Sequence, residues 1–283
     1  MIRRMLCVFA LMGLSACEKF TNPDGPSSTD PVVNYTALGA SDAIGYGGSS
    51  PCIPLTDCTT GTGYVQQLTQ RLTRSGKTVT LFNLGIPGIV LGPDVQALGN
   101  SLGKDIFGSF LVNEVPFVLR NSTLVTVFAG GNDVNTVGSA IKAGRANGDI
   151  PAYVQAQVQA FGQNMRTLVS EVRKRTSNPR IIALNLPNMA AMPYAAGYTL
   201  DERRVMQQLA VGFSAETNKL TSDGVLVLDL MCDASFYNGS LLSADGFHPN
   251  DAGYTHLADM VQAAYTTGSA PAPRASCAQM TAY

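Results

Sequence analysis

The chain has 283 residues, enough for one large domain with a sizeable core. Its 19 Lys and Arg nearly balance 20 Asp and Glu with no basic run, which argues against nucleic acid as the main partner, and a hydrophobic content of 45% excludes a disordered chain. Two His and no clustered Cys motif argue against a His-rich metal site, so no metal or cofactor is expected, and any imidazole chemistry must use His248 or His256.

At the N-terminus, Arg3 and Arg4 precede an apolar run from Met5 to Ala16. A bilayer span needs about 20 residues, so this run reads as a secretory signal instead. It ends Leu14-Ser15-Ala16-Cys17, which resembles a bacterial lipobox with Cys17 as the lipidated first residue of the mature chain. The expected location is therefore the bacterial cell envelope, anchored by lipid, or the medium if Cys17 is not lipidated. Residues 17–31 are rich in Pro, Ser, Thr, Asn and Asp and read as a flexible tether, leaving 32–283 as one domain. Removal of 1–16 leaves 267 residues with 17 basic and 20 acidic side chains. Cys7 leaves with the signal. Cys52, Cys58, Cys232 and Cys277 remain, an even number that suggests two disulfides in an exported chain. Three connectivities are possible. Cys52 with Cys58 closes a small loop and leaves Cys232 with Cys277.

In the body, Val32–Leu38, Val79–Leu84, Leu124–Ala129, Ile181–Leu186 and Val225–Leu230 are short apolar runs that read as strands. The third is apolar but for Thr126, as expected of a strand buried on both faces. Between them, Tyr64, Leu68 and Leu72 are spaced for a helix. From Asp149 and Pro151 onward, Val154, Val158, Phe161, Met165, Leu168 and Val172 mark a long amphipathic helix. Residues 200–220 and Gly253–Tyr265 read as further helices. Residues 88–121 are long for one connection and suggest short helices that shape a pocket; apolar side chains there and in 188–198 could line an acyl pocket or simply pack in the core. Alternating strands and helices predict an α/β/α sandwich around a mainly parallel five-stranded sheet, with sites at the carboxyl ends of strands.

The strand-end loops carry the chemistry. Ser41 follows the first strand, where a hydroxyl can sit near backbone N–H groups able to stabilise an oxyanion, although a Ser there is often only a helix cap. Asn83-Leu84-Gly85-Ile86-Pro87-Gly88 follows the second strand, and Gly130-Gly131-Asn132-Asp133 the third. Asn132 can donate a side-chain N–H, or simply cap a tight turn. After the fifth come Asp245 and His248, spaced so that one loop can place a carboxylate on one imidazole nitrogen. His256 lies off the apolar stripe of its helix and reads as a surface residue.

These four blocks, in this order from about Tyr35 to Tyr265, resemble the SGNH hydrolases, the GDSL-type esterases and lipases. The resemblance implies a flavodoxin-like fold with Ser41 as nucleophile and His248 and Asp245 completing the triad. It also implies Gly88, Asn132 and the Ser41 N–H as oxyanion donors. Asn185-Leu186-Pro187 resembles a less specific family segment beside the site. One departure stands out: the family usually has Asp before the nucleophile, whereas here Ala40 precedes Ser41 and Asp42 follows it. The expected activity is ester hydrolysis through an acyl-enzyme, on a small-molecule or lipid ester, with no required protein partner. Glycan O-deacetylation and a decayed, lipid-tethered binding module are the alternatives.

Overall fold

The computed structural model describes residues 26–53, 58–237 and 239–283. The expected signal 1–16, Cys17 and the tether as far as residue 25 lie outside the described residues. Five strands form one sheet: β1 (Val32–Gly39), β2 (Thr78–Asn83), β3 (Leu124–Phe128), β4 (Arg180–Leu184) and β5 (Leu226–Leu228). Their order is β2-β1-β3-β4-β5, and every pair is parallel. All five residues of β3 are buried, including Thr126, whose hydroxyl is bonded to that of Tyr35 at 2.8 Å, as fits the centre of a sheet covered on both faces.

Six α-helices cover the sheet: α1 (Tyr64–Arg74), α2 (Pro93–Ser101), α3 (Gly131–Lys142), α4 (Ile150–Arg175), α5 (Leu200–Asn218) and α6 (Asp251–Thr267). α1 packs on α6, while α4 and α3 both pack on α5 and α2 packs on α3, giving a layer on each side. α4 begins where Asp149 accepts a hydrogen bond from Ala152 N at 3.0 Å, with Pro151 in its first turn. Its buried face carries Val154, Phe161, Met165, Leu168 and Val172. Phe161 stacks on Phe213 of α5, ring centroids 4.1 Å apart. Burying side chains of this size contributes roughly 1.5–3 kcal/mol each.

The strand order places the topological switch point between β1 and β3, the crevice where open α/β sheets hold ligands. Both disulfides form as the small-loop reasoning suggests, Cys52–Cys58 and Cys232–Cys277, with Cα–Cα separations of 5.8 and 5.7 Å.

β5 is three residues long rather than six. Beyond Leu228 the chain is captured by Asn185, whose Oδ1 accepts from Leu230 N at 2.7 Å and Met231 N at 3.0 Å. Those amides leave the sheet ladder to bond a side chain.

Candidate active site

Ser41 lies two residues beyond β1. The loop that carries it is pressed against the loop after β2. A Cβ on Gly85 would sit 2.7 Å from Ala43 Cβ and 3.0 Å from the Ala40 carbonyl. Asn83 fastens the two loops, donating to Ala43 O at 2.7 Å and accepting from Gly85 N at 3.0 Å. Ala40, at the position of the departure, is buried in this contact.

The Asp245–His248 loop is a tight hairpin. Leu242 bridges Pro249, and Ser243 N donates to His248 O at 2.8 Å. Gly246 sits at φ +68°, and a Cβ there would stand 2.7 Å from Tyr194 N, so both conformation and space demand glycine. Immediately afterwards, Asn250 caps α6 by accepting from Gly253 N at 3.0 Å.

The hairpin closes over Ser41. Ser41 Oγ lies 2.8 Å from His248 Nε2, and His248 Nδ1 lies 2.6 Å from Asp245 Oδ2. A carboxylate on Nδ1 holds the imidazole proton there and leaves Nε2 to accept from the serine hydroxyl. The other carboxylate oxygen of Asp245 accepts from Ser243 Oγ, Phe247 N and His248 N at 2.8, 2.8 and 2.9 Å. Burial opposes charge on Asp245, but these bonds and the one from His248 outweigh it and hold its carboxyl at about 2. Asp245 is therefore ionised throughout the neutral range. Tyr46 and Phe247 pack edgewise on His248, each with ring centroids 4.7 Å away.

Ser41 and Asn132 line one cavity of about 40 Å³, walled by Phe128, Leu186, Met189, Met192, Phe236 and Phe247. Asn132 stands in the first turn of α3 and donates one amide hydrogen to Ile89 O at 2.9 Å. Its second amide hydrogen is left for the cavity. Gly88 adopts φ +77°, which turns the chain into Ile89, and its N–H has no acceptor among the described residues. Ile89, rather than Gly88, lines the cavity. Asp42 also lines it; burial raises its carboxyl against the pull of His248.

Several contributors escaped the sequence reading. Asp133 is buried and accepts from Leu91 N with both oxygens, at 3.0 and 3.2 Å, so it ties α3 to the chain beyond Gly88. Burial, opposed by that bond, raises it to about 7. Glu114, fully buried, accepts from Gly39 N at 3.0 Å, and burial raises its carboxyl well above the usual range. Neither role is visible in chain order, because each partner lies far along the sequence. Of the two segments expected to line a pocket, 88–121 contains α2 but brings only Ile89 of its apolar residues to the cavity, whereas 188–198 brings Met189 and Met192. Of Asn185-Leu186-Pro187, the last two line the cavity and Asn185 is structural.

The profile of the GDSL-like lipase/acylhydrolase family matches residues 37–256. No curated protein sequence matches the chain. Among solved structures, the lipase Lip_vut3 from a goat rumen metagenome superposes with a TM-score of 0.55 at 18% identity, covering 82% of this chain and 97% of that one. An extracellular lipase from Streptomyces rimosus gives 0.50 at 17% identity, covering 80% and 99%. At these identities the structures establish a shared fold, while the family match spans all four blocks. The chain therefore belongs to the GDSL-like lipase/acylhydrolase family and is an ester hydrolase of that kind.

Proposed function

We propose that the protein hydrolyses carboxylic esters of short acyl chains through a covalent Ser41 acyl-enzyme. The observation that carries this reading is the hydrogen-bonded chain from Ser41 Oγ through His248 to Asp245. In the first step His248 Nε2 takes the serine proton as Oγ bonds to the ester carbonyl carbon. The tetrahedral oxyanion is held by the Ser41 N–H and the free amide hydrogen of Asn132, with the N–H of Gly88, next in the chain to the cavity-lining Ile89, as the third donor. Collapse breaks the bond to the alcohol oxygen, which receives the proton from His248. Water then attacks the acyl carbon, giving its proton to His248, and the freed serine regains that proton as the acid leaves. Asp245 stays ionised and stabilises the imidazolium.

The short-acyl reading rests on size. A water-sized group needs about 10–15 Å³ on this scale, so the cavity beside Ser41 holds roughly three such groups. An acetyl to butyryl group fits. An acetyl ester of a glycan meets the same limit, and glycan O-deacetylation is the second reading. The intact Ser41–His248–Asp245 chain disfavours a decayed binding module. We extend the proposal to export and lipidation at Cys17, supported by the Leu14-Ser15-Ala16-Cys17 sequence and by two disulfides, which persist outside the cytoplasm.

Steady-state hydrolysis of p-nitrophenyl acetate and p-nitrophenyl decanoate tests the reading. The acetate is expected to be cleaved faster, with Ser41→Ala reducing turnover by on the order of 10⁶. Full activity in Ser41→Ala would overturn the assignment. A preference for decanoate would overturn the short-acyl class.

A further inference from the structure

A second and larger concavity lies between α3 and α5, with a volume of about 330 Å³. Asn135, Gly138, Ser139 and Lys142 border it on α3, and Val205 and Met206 on α5. Its flanks include Ile150 and Tyr198, large side chains left 39% and 36% exposed. Such exposed apolar surface around a concavity of this size is characteristic of a ligand groove. The Lys142–Glu202 ion pair, 2.7 Å, sits on its border.

The groove neighbours the catalytic centre along α3 and is joined to it by a chain of side-chain contacts. Asn135 stands one helical turn from Asn132, about 4.5 Å along the α3 axis, and Lys142 about 15 Å along it. Asn135 also accepts from Tyr194 OH at 3.3 Å, and Tyr198 OH donates to Tyr194 OH at 2.9 Å. Tyr194 packs on Phe247, centroids 5.0 Å apart, and Phe247 packs on His248. The path from the imidazole to the groove thus runs over Phe247 and Tyr194. His248 is the group that protonates the departing alcohol in the proposed reaction, and this contact chain leads from its ring to the groove. The acyl group is already accounted for by the cavity at Ser41, which is about one-eighth of the groove's volume.

We infer that the α3–α5 groove binds the alcohol portion of the ester, an apolar chain or ring of medium size. This inference rests on the esterase reading of Ser41 and assigns the second half of the substrate. Specificity would then be divided: a narrow acyl site and a roomier, apolar alcohol site bordered by amide, hydroxyl and ionic groups.

Gly138 provides the test. It lies within α3 and borders the groove, and a Cβ placed on it meets nothing within 4 Å, so Gly138→Leu starts from open space, narrows the groove and replaces a poor helix former. Two series are measured: acetates of methanol, butanol and octanol, and methyl esters of acetate, butyrate and octanoate. The wild type is expected to prefer octyl acetate over methyl octanoate. Gly138→Leu is expected to lower the octyl-to-methyl acetate ratio of kcat/KM at least tenfold and to leave the ratios within the acyl series in place. Loss of methyl octanoate cleavage instead would assign the groove to the acyl chain and overturn the inference, as would no change in either ratio. A wild type that cleaves acetylated xylose better than octyl acetate, unaffected by Gly138→Leu, would overturn it too. A folded wild type that cleaves none of these esters defeats the esterase reading itself and the inference with it. Should Gly138→Leu fail to fold, as judged by circular dichroism, Val205→Phe narrows the same groove from α5.

Discussion

The chain has two histidines, and each is paired with an aspartate in nearly the same way. His248 Nδ1 lies 2.6 Å from Asp245, and His256 Nε2 lies 2.5 Å from Asp233. What separates them is the other imidazole nitrogen and the origin of the carboxylate. At His248 the free nitrogen meets Ser41 Oγ beside an apolar cavity, and the Asp comes from the same hairpin. At His256 no serine among the described residues is bonded to the ring. Its Asp comes from 23 residues earlier, so the pair fastens α6 to the segment after β5, where Phe236 also packs on the His256 ring. A His–Asp pair alone is thus as consistent with a structural clasp as with the proposed catalytic role, and the third partner is what separates the two.

Asp245→Asn should cause the largest loss among changes that spare the nucleophile, on the order of 10⁴ in kcat, because the imidazole tautomer is no longer enforced. The same exchange at Asp233 should leave kcat within about threefold; steady-state kinetics on a short ester reads both. Asn132→Ala is expected to cost about 10²–10³ in kcat with a smaller change in KM, the signature of a donor used mainly in the transition state. His256→Ala should act on stability instead, lowering the thermal midpoint by a few degrees through about 1–2 kcal/mol, with kcat nearly unchanged.

Asp133 sharpens the contrast through pH. Its folded-state value of about 7 exceeds the ordinary 3.8, so between those values the folded protein holds a proton that the unfolded chain has lost. That contribution to stability falls as pH rises from about 4 to 7 and is level above. Asp133→Asn cannot ionise and keeps an acceptor for Leu91 N. Its stability relative to the wild type should therefore improve across that interval, as urea midpoints at pH 4.5 and 8 would show. Asp245 has the opposite sign: its depressed value contributes stability above 3.8 that is lost as pH falls towards 2.

Local signals served the sequence reading well. The five apolar runs correspond to the five strands, and the Asp245-to-His248 spacing anticipates a pair held by one loop. α3 was less legible. Gly131, Asn132, Asp133, Asn135, Thr136 and Gly138 are weak helix formers, so the Gly-Gly-Asn-Asp block reads as a turn although it opens a 12-residue helix. Packing of Val134 and Val137, both buried, overrides propensity there. His256 was misjudged as a surface residue, because its half-buried pairing with Asp233 depends on tertiary packing. The buried carboxyls of Glu114 and Asp133 were hidden for the same reason, since their partners Gly39 and Leu91 lie 75 and 42 residues away. The α3–α5 groove joins two distant segments and leaves no motif.

The proposed nucleophile is Ser41, activated by His248 and not by His256. Labelling the folded protein with a fluorophosphonate and locating the adduct by peptide mass spectrometry tests it most directly. The account predicts one adduct on Ser41 in the wild type and in His256→Ala, a labelling rate reduced at least a hundredfold in His248→Ala, and none in Ser41→Ala. An adduct that persists in Ser41→Ala, or a folded wild type that never labels, would contradict it.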